Sequence, residues 1–228
     1  MKNNIVVIIP AYNPDEKIYE ILKDLKTNEY TKIIVINDGS KSTEIFEKIE
    51  EDVTIITHEK NEGKGQALKT GFQYVLDNFN DIIGVITVDA DGQHLIQDIN
   101  KIYKKIVKDT DSVILGSRNL KDKNVPFRSK IGNLTFSKIL EKRTKIKITD
   151  TQTGLRAIPI QYLKDFINIK GKRFEYETNM ILTCLKNNIK IIEENIESVY
   201  IDNNKSSNYK IIKDSIKICN SIILIKGK

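Results

Sequence analysis

The sequence predicts an α/β fold: a mostly parallel sheet with helices on both faces. Three observations carry that prediction. Short β-rich runs, IVVIIP (5–10), KIIVIND (32–38), VTIITH (53–58) and IIGVITV (82–88), are almost continuously apolar, as strands buried on both faces must be. Segments with one apolar stripe at helical spacing separate them, and strand–helix alternation of this kind builds parallel crossovers. Each run then ends in a polar loop, PAYNP, NDGS, EKNEGKGQA or DADGQH, and such strand ends are where open parallel sheets bind ligands.

The elements follow in order. Proline closes the first strand, and Asn13 is placed to cap the next helix, with Pro14 at its first position and Asp15 and Glu16 at its positive end. Ile18, Ile21, Leu22 and Leu25 form its buried stripe. A helix through Ile45, Phe46 and Ile49 follows the second strand. The third leads to a helix carrying Ala67, Leu68, Gly71, Phe72, Val75 and Leu76, and the fourth to one carrying Ile99, Ile102, Tyr103 and Ile106. SVILGSR (112–118) is a fifth strand. Beyond it come a basic loop, a short helix around Leu134 to Leu140, the polar TDTQTG, a helix over 174–187, a strand-like KIIEENIESVY and a closing helix. No internal repeat or low-complexity linker interrupts the chain, so one domain is expected, its second half covering the ligand edge of the sheet.

Composition bounds the function classes. The first apolar run is too short for a secretory signal, and no run reaches the 18 or so apolar residues of a membrane span, which fits a cytoplasmic protein. Cys184 and Cys219 sit in apolar helical contexts without metal-ligand spacing and read as reduced core thiols. The net charge is +6, and residues 118–147 hold ten Lys or Arg against Asp122 and Glu141, a local balance of +8. That stretch admits two readings, a solvated face or a surface for a phosphate-bearing or anionic membrane partner. Nucleic acid is excluded as a partner by the sparse aromatic residues there and the lack of any nucleic-acid-binding signature.

DADGQH raises the sharpest chemical question, because two carboxylates held close oppose each other unless a cation lies between them. Placed on extended backbone, Asp89 and Asp91 share a side, with the small Ala90 between. Hard divalent cations take such oxygens, and magnesium is commonly shared between one or two carboxylates and a substrate's phosphates. Asp89, Asp91 and Gln93 are therefore the candidate metal ligands, with His94 a further donor. The competing reading is a turn or helix cap. An EF-hand is excluded, since Gly92 comes too early and the twelfth position is not Glu. NEGKGQALKTG matches neither phosphate-loop pattern and by itself reads equally as a helix cap with a tight turn.

In this order, VIIPAYNP, VINDGS, NEGKGQALKTGF and VDADGQH, followed by GSR, DTQTGLRAI, RFEYETNM and YIDNNKSSNY, resemble the inverting family 2 glycosyltransferases with the GT-A nucleotide-sugar-binding fold. The branch they look most like contains dolichol-phosphate mannose synthases and bacterial polyprenyl-phosphate glycosyltransferases. The resemblance divides the chain into a nucleotide-sugar-binding half (1–118), an acceptor-side half (119–210) and a C-terminal helix (211–228). It implies that Pro10, Ala11, Tyr12, Asn13 and Asp38 contact the nucleotide, Asp38 near base or ribose, and that Lys64 and Gly65 lie beside it. Asn37 stands where many relatives carry a second aspartate. By the same likeness Asp89, Ala90, Asp91 and Gln93 form the Mg2+ or Mn2+ and diphosphate site. Arg118, Arg128 and Lys130 are placed for an acceptor phosphate, and Lys205 with Ser206 for a loop closing on the donor.

The expected reaction moves a hexose from a nucleotide sugar of UDP-glucose or GDP-mannose type to a polyprenyl phosphate. A phosphate acceptor is already largely ionised at neutral pH, so it needs no strong base. A glycan, teichoic-acid-type or protein hydroxyl would need a carboxylate within reach, for which Asp150 is the first candidate and Glu175 or Glu177 the second; Asp150 also reads as a turn former. A non-catalytic nucleotide-sugar-binding subunit is the alternative from another class. The chain has no tryptophan, hence no processive-synthase Q-x-x-R-W signature. Contact with the inner membrane face is expected to be peripheral, through Ile216, Ile218 and Ile222 to Ile225 between lysines; the same helix reads equally as a core or partner-docking element.

Overall fold

The computed structural model of the chain describes residues 1–119, 125 and 127–197, without the side chains of 127–131 and 143. Among the described residues seven strands, β1 (Ile5–Ala11), β2 (Ile33–Asn37), β3 (Thr54–Thr57), β4 (Gly84–Thr87), β5 (Val113–Arg118), β6 (Arg156–Pro159) and β7 (Ile191–Ile196), form one sheet in the order β3-β2-β1-β4-β6-β5-β7. Pairings β1–β2, β2–β3, β1–β4 and β5–β7 are parallel, whereas β6 runs antiparallel between β4 and β5. The expected mostly parallel α/β sheet is what forms.

Alternation along β1 shows why its run is continuous. Val6 and Ile8 enter one core with Ala67, Leu68, Phe72 and Val75 of α3 (Lys64–Asn78). Ile5, Val7 and Ile9 enter the other with α1 (Lys17–Thr27), Phe46 of the short α2 (Glu44–Glu47) and α4 (Ile96–Lys108). α5 (Phe127–Thr144), α6 (Leu163–Ile167) and α7 (Glu175–Lys186) add Phe136, Leu140, Phe166 and Met180 to the first face. Fully burying such a side chain contributes about 1.5–3 kcal/mol, so a strand with both faces covered is fixed twice over. The α1 stripe Ile18, Ile21, Leu22 and Leu25 is buried as its spacing requires.

The backbone departs from the sequence expectations at several places. Asn13 does not cap α1, and Pro14 precedes the helix, which begins at Lys17. Asn13 takes a left-handed φ of 47° and is engaged elsewhere, while Asp15 receives the Lys17 N–H at 3.1 Å. The helix expected around Leu134 extends over the whole of α5. The short β6 carries no strand signal of its own, because RAIP follows a polar turn and is held entirely by non-local pairing to β4 and β5. Its direction matters: Arg156 at its start pairs with Thr87 at the end of β4, so the preceding turn, residues 150–154, arrives at the sheet's carboxyl edge.

Cys184 is a buried free thiol whose pKa burial pushes up to about 12, an inert core residue. No helix among the described residues is long and apolar enough to cross a membrane. Cys219, Lys205, Ser206 and the segment 211–228 expected as a C-terminal helix lie outside the described residues, as do the side chains of Arg128 and Lys130.

Candidate active site

The first two strand-end loops are stitched together. Asp38 N–H donates to the Ala11 carbonyl (2.8 Å), Asn13 N–H to Ser40 Oγ (2.8 Å), and Lys41 N–H to Asn13 Oδ1 (2.8 Å). Pro10, Ala11, Tyr12 and Asn13 thus lead from the end of β1 into the loop that follows β2. Asp38 is buried, with both carboxylate oxygens occupied by protein: Oδ1 accepts from Glu62 N–H (2.9 Å) and meets His58 Nδ1 (2.8 Å), and Oδ2 accepts from Gly63 N–H (2.8 Å). His58 Nε2 in turn meets Thr70 Oγ1 at 2.9 Å. In this structure Asp38 fixes the loop entering α3. Gly65 has an equally local role, for a Cβ there would lie 2.4 Å from that of Tyr176. Only glycine lets α3 approach α7 so closely.

That loop delivers Lys64 to Asp89. Lys64 Nζ lies 2.7 Å from Asp89 Oδ1 and 3.0 Å from Glu177 Oε1 in the first turn of α7. Burial by itself opposes charge on Lys64 and on Asp89. The two carboxylates outweigh it at Lys64, pushing its pKa up, and the Lys64 ammonium with His94 holds the Asp89 carboxyl well below its ordinary value. Asp91 behaves oppositely: burial first, and the Asp89 charge second, raise its pKa. β4 ends at Thr87 and residues 90 and 91 lie in a turn, so a turn and not strand alternation brings the carboxylates near each other. Gln93 donates its backbone N–H to Asp91 Oδ1 (3.0 Å).

Among the described residues no three His, Cys, Asp or Glu side chains converge as a preformed metal cluster. The donor set nevertheless fits a divalent cation completed by substrate oxygens. Asp89 and Asp91 supply two interacting carboxylates. The His94 side chain, 5% exposed, has no hydrogen-bond partner at either ring nitrogen and lies 3.4 Å from Asp89 Oδ2 through Nε2. A buried ring whose Nδ1 has no hydrogen-bond partner, beside two acids, fits a place where an ion or ligand belongs.

The 150–154 turn ties this cluster to the next strand end. At one end, Asp150 is fully buried and accepts from Arg118 Nε (2.7 Å) and Nη2 (3.1 Å) and from Asn133 Nδ2 (2.5 Å). Burial alone would raise its pKa, but the Arg118 guanidinium holds it below the ordinary value. Asp150, the expected candidate for general base, thus has no exposed surface and holds Arg118 in place. At the other end, Thr87 Oγ1 donates to the Gly154 carbonyl (2.7 Å), and a Cβ on Gly154 would lie 2.2 Å from Asp89 Oδ2. Glycine is required there because Asp89 occupies the space. Arg156, wholly buried, donates to the carbonyls of Thr153 (2.9 Å) and Glu177 (2.6 Å), joining the turn to α7. Glu175 is also buried in that helix turn.

The sequence reading named most of these residues but missed Gly154, Arg156, Asn133 and His58 as supports. DTQTGLRAI was the available signal: an arginine flanked by apolar residues after a glycine turn implies a buried guanidinium seeking carbonyls.

The family model for Glycosyl transferase family 2 matches residues 6–166. UDP-N-acetylglucosamine–dolichyl-phosphate N-acetylglucosaminyltransferase of Methanococcus voltae is 34% identical, with 87% of this chain and 86% of that protein covered. Dolichyl-phosphate beta-glucosyltransferase of Saccharomyces cerevisiae is 25% identical over 96% of this chain and 73% of its own length. Among solved structures, glucosyl-3-phosphoglycerate synthase from Mycobacterium tuberculosis, in complex with Mn2+, UDP and phosphoglyceric acid, superposes with a TM-score of 0.74 at 12% identity, over 96% of this chain and 77% of that one. At that identity the likeness concerns the GT-A fold.

Proposed function

From the premise that this chain belongs to glycosyltransferase family 2, we propose that it transfers a sugar from a UDP-linked donor to the phosphate of a polyprenyl phosphate. The observation that carries the reading is the 150–154 turn, which fixes Arg118 through Asp150 at one end and abuts Asp89 at the other. The same short turn joins the Arg118 guanidinium to the carboxylate expected at the diphosphate. Two relatives named for dolichyl-phosphate acceptors, one of them for a UDP-sugar donor, support the same reading, and favour uridine over guanosine among the donors expected from sequence.

The division of labour follows from charge. The donor diphosphate lies at the ends of β1, β2 and β4, with Lys64 and the Asp89–Asp91 pair at its oxygens. Mg2+ or Mn2+ held by Asp89 and Asp91, with Gln93 or His94, would supply Lewis-acid stabilisation of the leaving diphosphate. Arg118 binds the acceptor phosphate as a planar fork suited to its oxygens. One phosphate oxygen attacks the anomeric carbon as the bond to the nucleoside diphosphate breaks, and orientation supplies much of the acceleration. No strong base is required, because the acceptor oxygen is ionised at neutral pH. The burial of Asp150 weighs against a hydroxyl acceptor, for which Glu175 and Glu177 are the other candidate bases.

The test is transfer of label from UDP-[14C]N-acetylglucosamine, UDP-[14C]glucose and GDP-[14C]mannose to dolichyl or undecaprenyl phosphate with Mn2+. The expected product partitions into chloroform–methanol with a UDP donor. Label confined to the aqueous phase with every donor rejects the reading.

A further inference from the structure

Lys64 is the cation already seated on Asp89, and its place is contested. Its ammonium touches Asp89 Oδ1 at 2.7 Å and Glu177 Oε1 at 3.0 Å. The backbone that carries it cannot shift easily, since Asp38 holds the N–H groups of Glu62 and Gly63, and Gly65 is packed against Tyr176. Any relocation of the charge must come from the flexible side chain. Glu177 is 5% exposed and, like Asp89, depends on Lys64 for compensation. A divalent cation binding Asp89 would meet this ammonium on the same carboxylate, and like charges at that distance repel strongly where water is scarce.

We propose that Lys64 is an exchangeable counter-ion: without nucleotide its ammonium occupies Asp89 and opposes a divalent cation there, and the donor's diphosphate draws it away. Nucleotide and cation then bind cooperatively, and Glu177 anchors Lys64 within the site in both positions. The proposal rests on the donor-site reading above. The diphosphate supplies the differential interaction that any such shift requires, and the coupling is reciprocal, so each ligand must tighten the other by the same factor.

The coupling factor is measured on the intact protein, with no acceptor present. Calorimetric titration of UDP with and without Mn2+ gives the factor, and electron paramagnetic resonance of free Mn2+ gives the affinity of the nucleotide-free protein. Direct bridging of cation and diphosphate couples them in any variant, so the changes on mutation decide. Lys64→Met removes the competing ammonium: nucleotide-free Mn2+ affinity is expected to rise, and the coupling factor to fall about fivefold or more. Glu177→Gln removes the alternative anchor, leaving the ammonium on Asp89 alone. Nucleotide-free Mn2+ affinity then falls and the coupling factor rises. A lysine that only braces the site, or acts only through the local field, leaves the factor unchanged in both variants, and that result overturns the proposal while sparing the donor site. Should Lys64→Met not fold by circular dichroism, Glu177→Gln decides by the same criterion. Failure of the wild-type protein to bind UDP or Mn2+ overturns the donor-site reading and this proposal together.

Discussion

Arg118 and Asp150 form a two-point ion pair, Nε to Oδ2 at 2.7 Å and Nη2 to Oδ1 at 3.1 Å, in which the aspartate side chain is wholly buried and the arginine side chain 19% exposed. The Arg118 backbone N–H adds a contact at 3.3 Å. The last residue of a strand and the first of a turn are thereby locked, leaving a planar cation at the carboxyl edge of the sheet in a fixed orientation.

Replacing Asp150 by Asn leaves Arg118 without its counter-charge, and removing one member of a buried pair costs about 3 kcal/mol or more. Urea unfolding at neutral pH should show that loss, together with failure of transfer and little change in UDP affinity by calorimetry. The pH dependence has a defined sign. The Asp150 pKa in the folded protein is below its ordinary value of 3.8, so the stabilisation is complete above that value and is lost as pH falls through the folded pKa. The gap between wild type and Asp150→Asn should therefore narrow in acid.

Gly154→Ala forces Asp89 to move, since the added methyl would lie 2.2 Å from its Oδ2. Displacing a ligand group by about 1 Å costs on the order of 100-fold in rate. The expected variant keeps a thermal unfolding midpoint near that of wild type, loses transfer, and binds Mn2+ more weakly in the presence of UDP. A variant with full activity would show that Asp89 need not stay where it is.

Asp38→Ala strips the acceptor for the Glu62 and Gly63 N–H groups and the partner of His58. Loss of these charge-assisted bonds should lower stability by about 3 kcal/mol. Because Lys64 follows Gly63 directly, the KM for the donor should rise more than kcat falls. Asp38→Asn retains one acceptor oxygen and should fall between wild type and Asp38→Ala in both measurements.

Chelation by EDTA should lower transfer at least about 100-fold, the scale of losing a principal charge-stabilising contact, with restoration by Mn2+ or Mg2+. Asp89→Asn should resist restoration across a wide range of metal concentration, measured as initial rates of lipid-linked product.

The sequence by itself determined the sheet, the helices that cover it and the polar strand ends, because those features are written in local periodicity. A strand buried on both faces must be apolar throughout, and a helix stripe must recur at its own spacing. Only the tertiary structure decided what the charged residues do. β6 exists through pairing alone, and its reversed direction carries the 150–154 turn to Asp89. Asp150 is buried against Arg118, Asp38 ties the loop that enters α3, and Glu177 is the second anchor of Lys64. Burial and partner choice depend on which distant segments meet. A carboxylate's role follows from the dielectric and the charges around it, which no local pattern encodes.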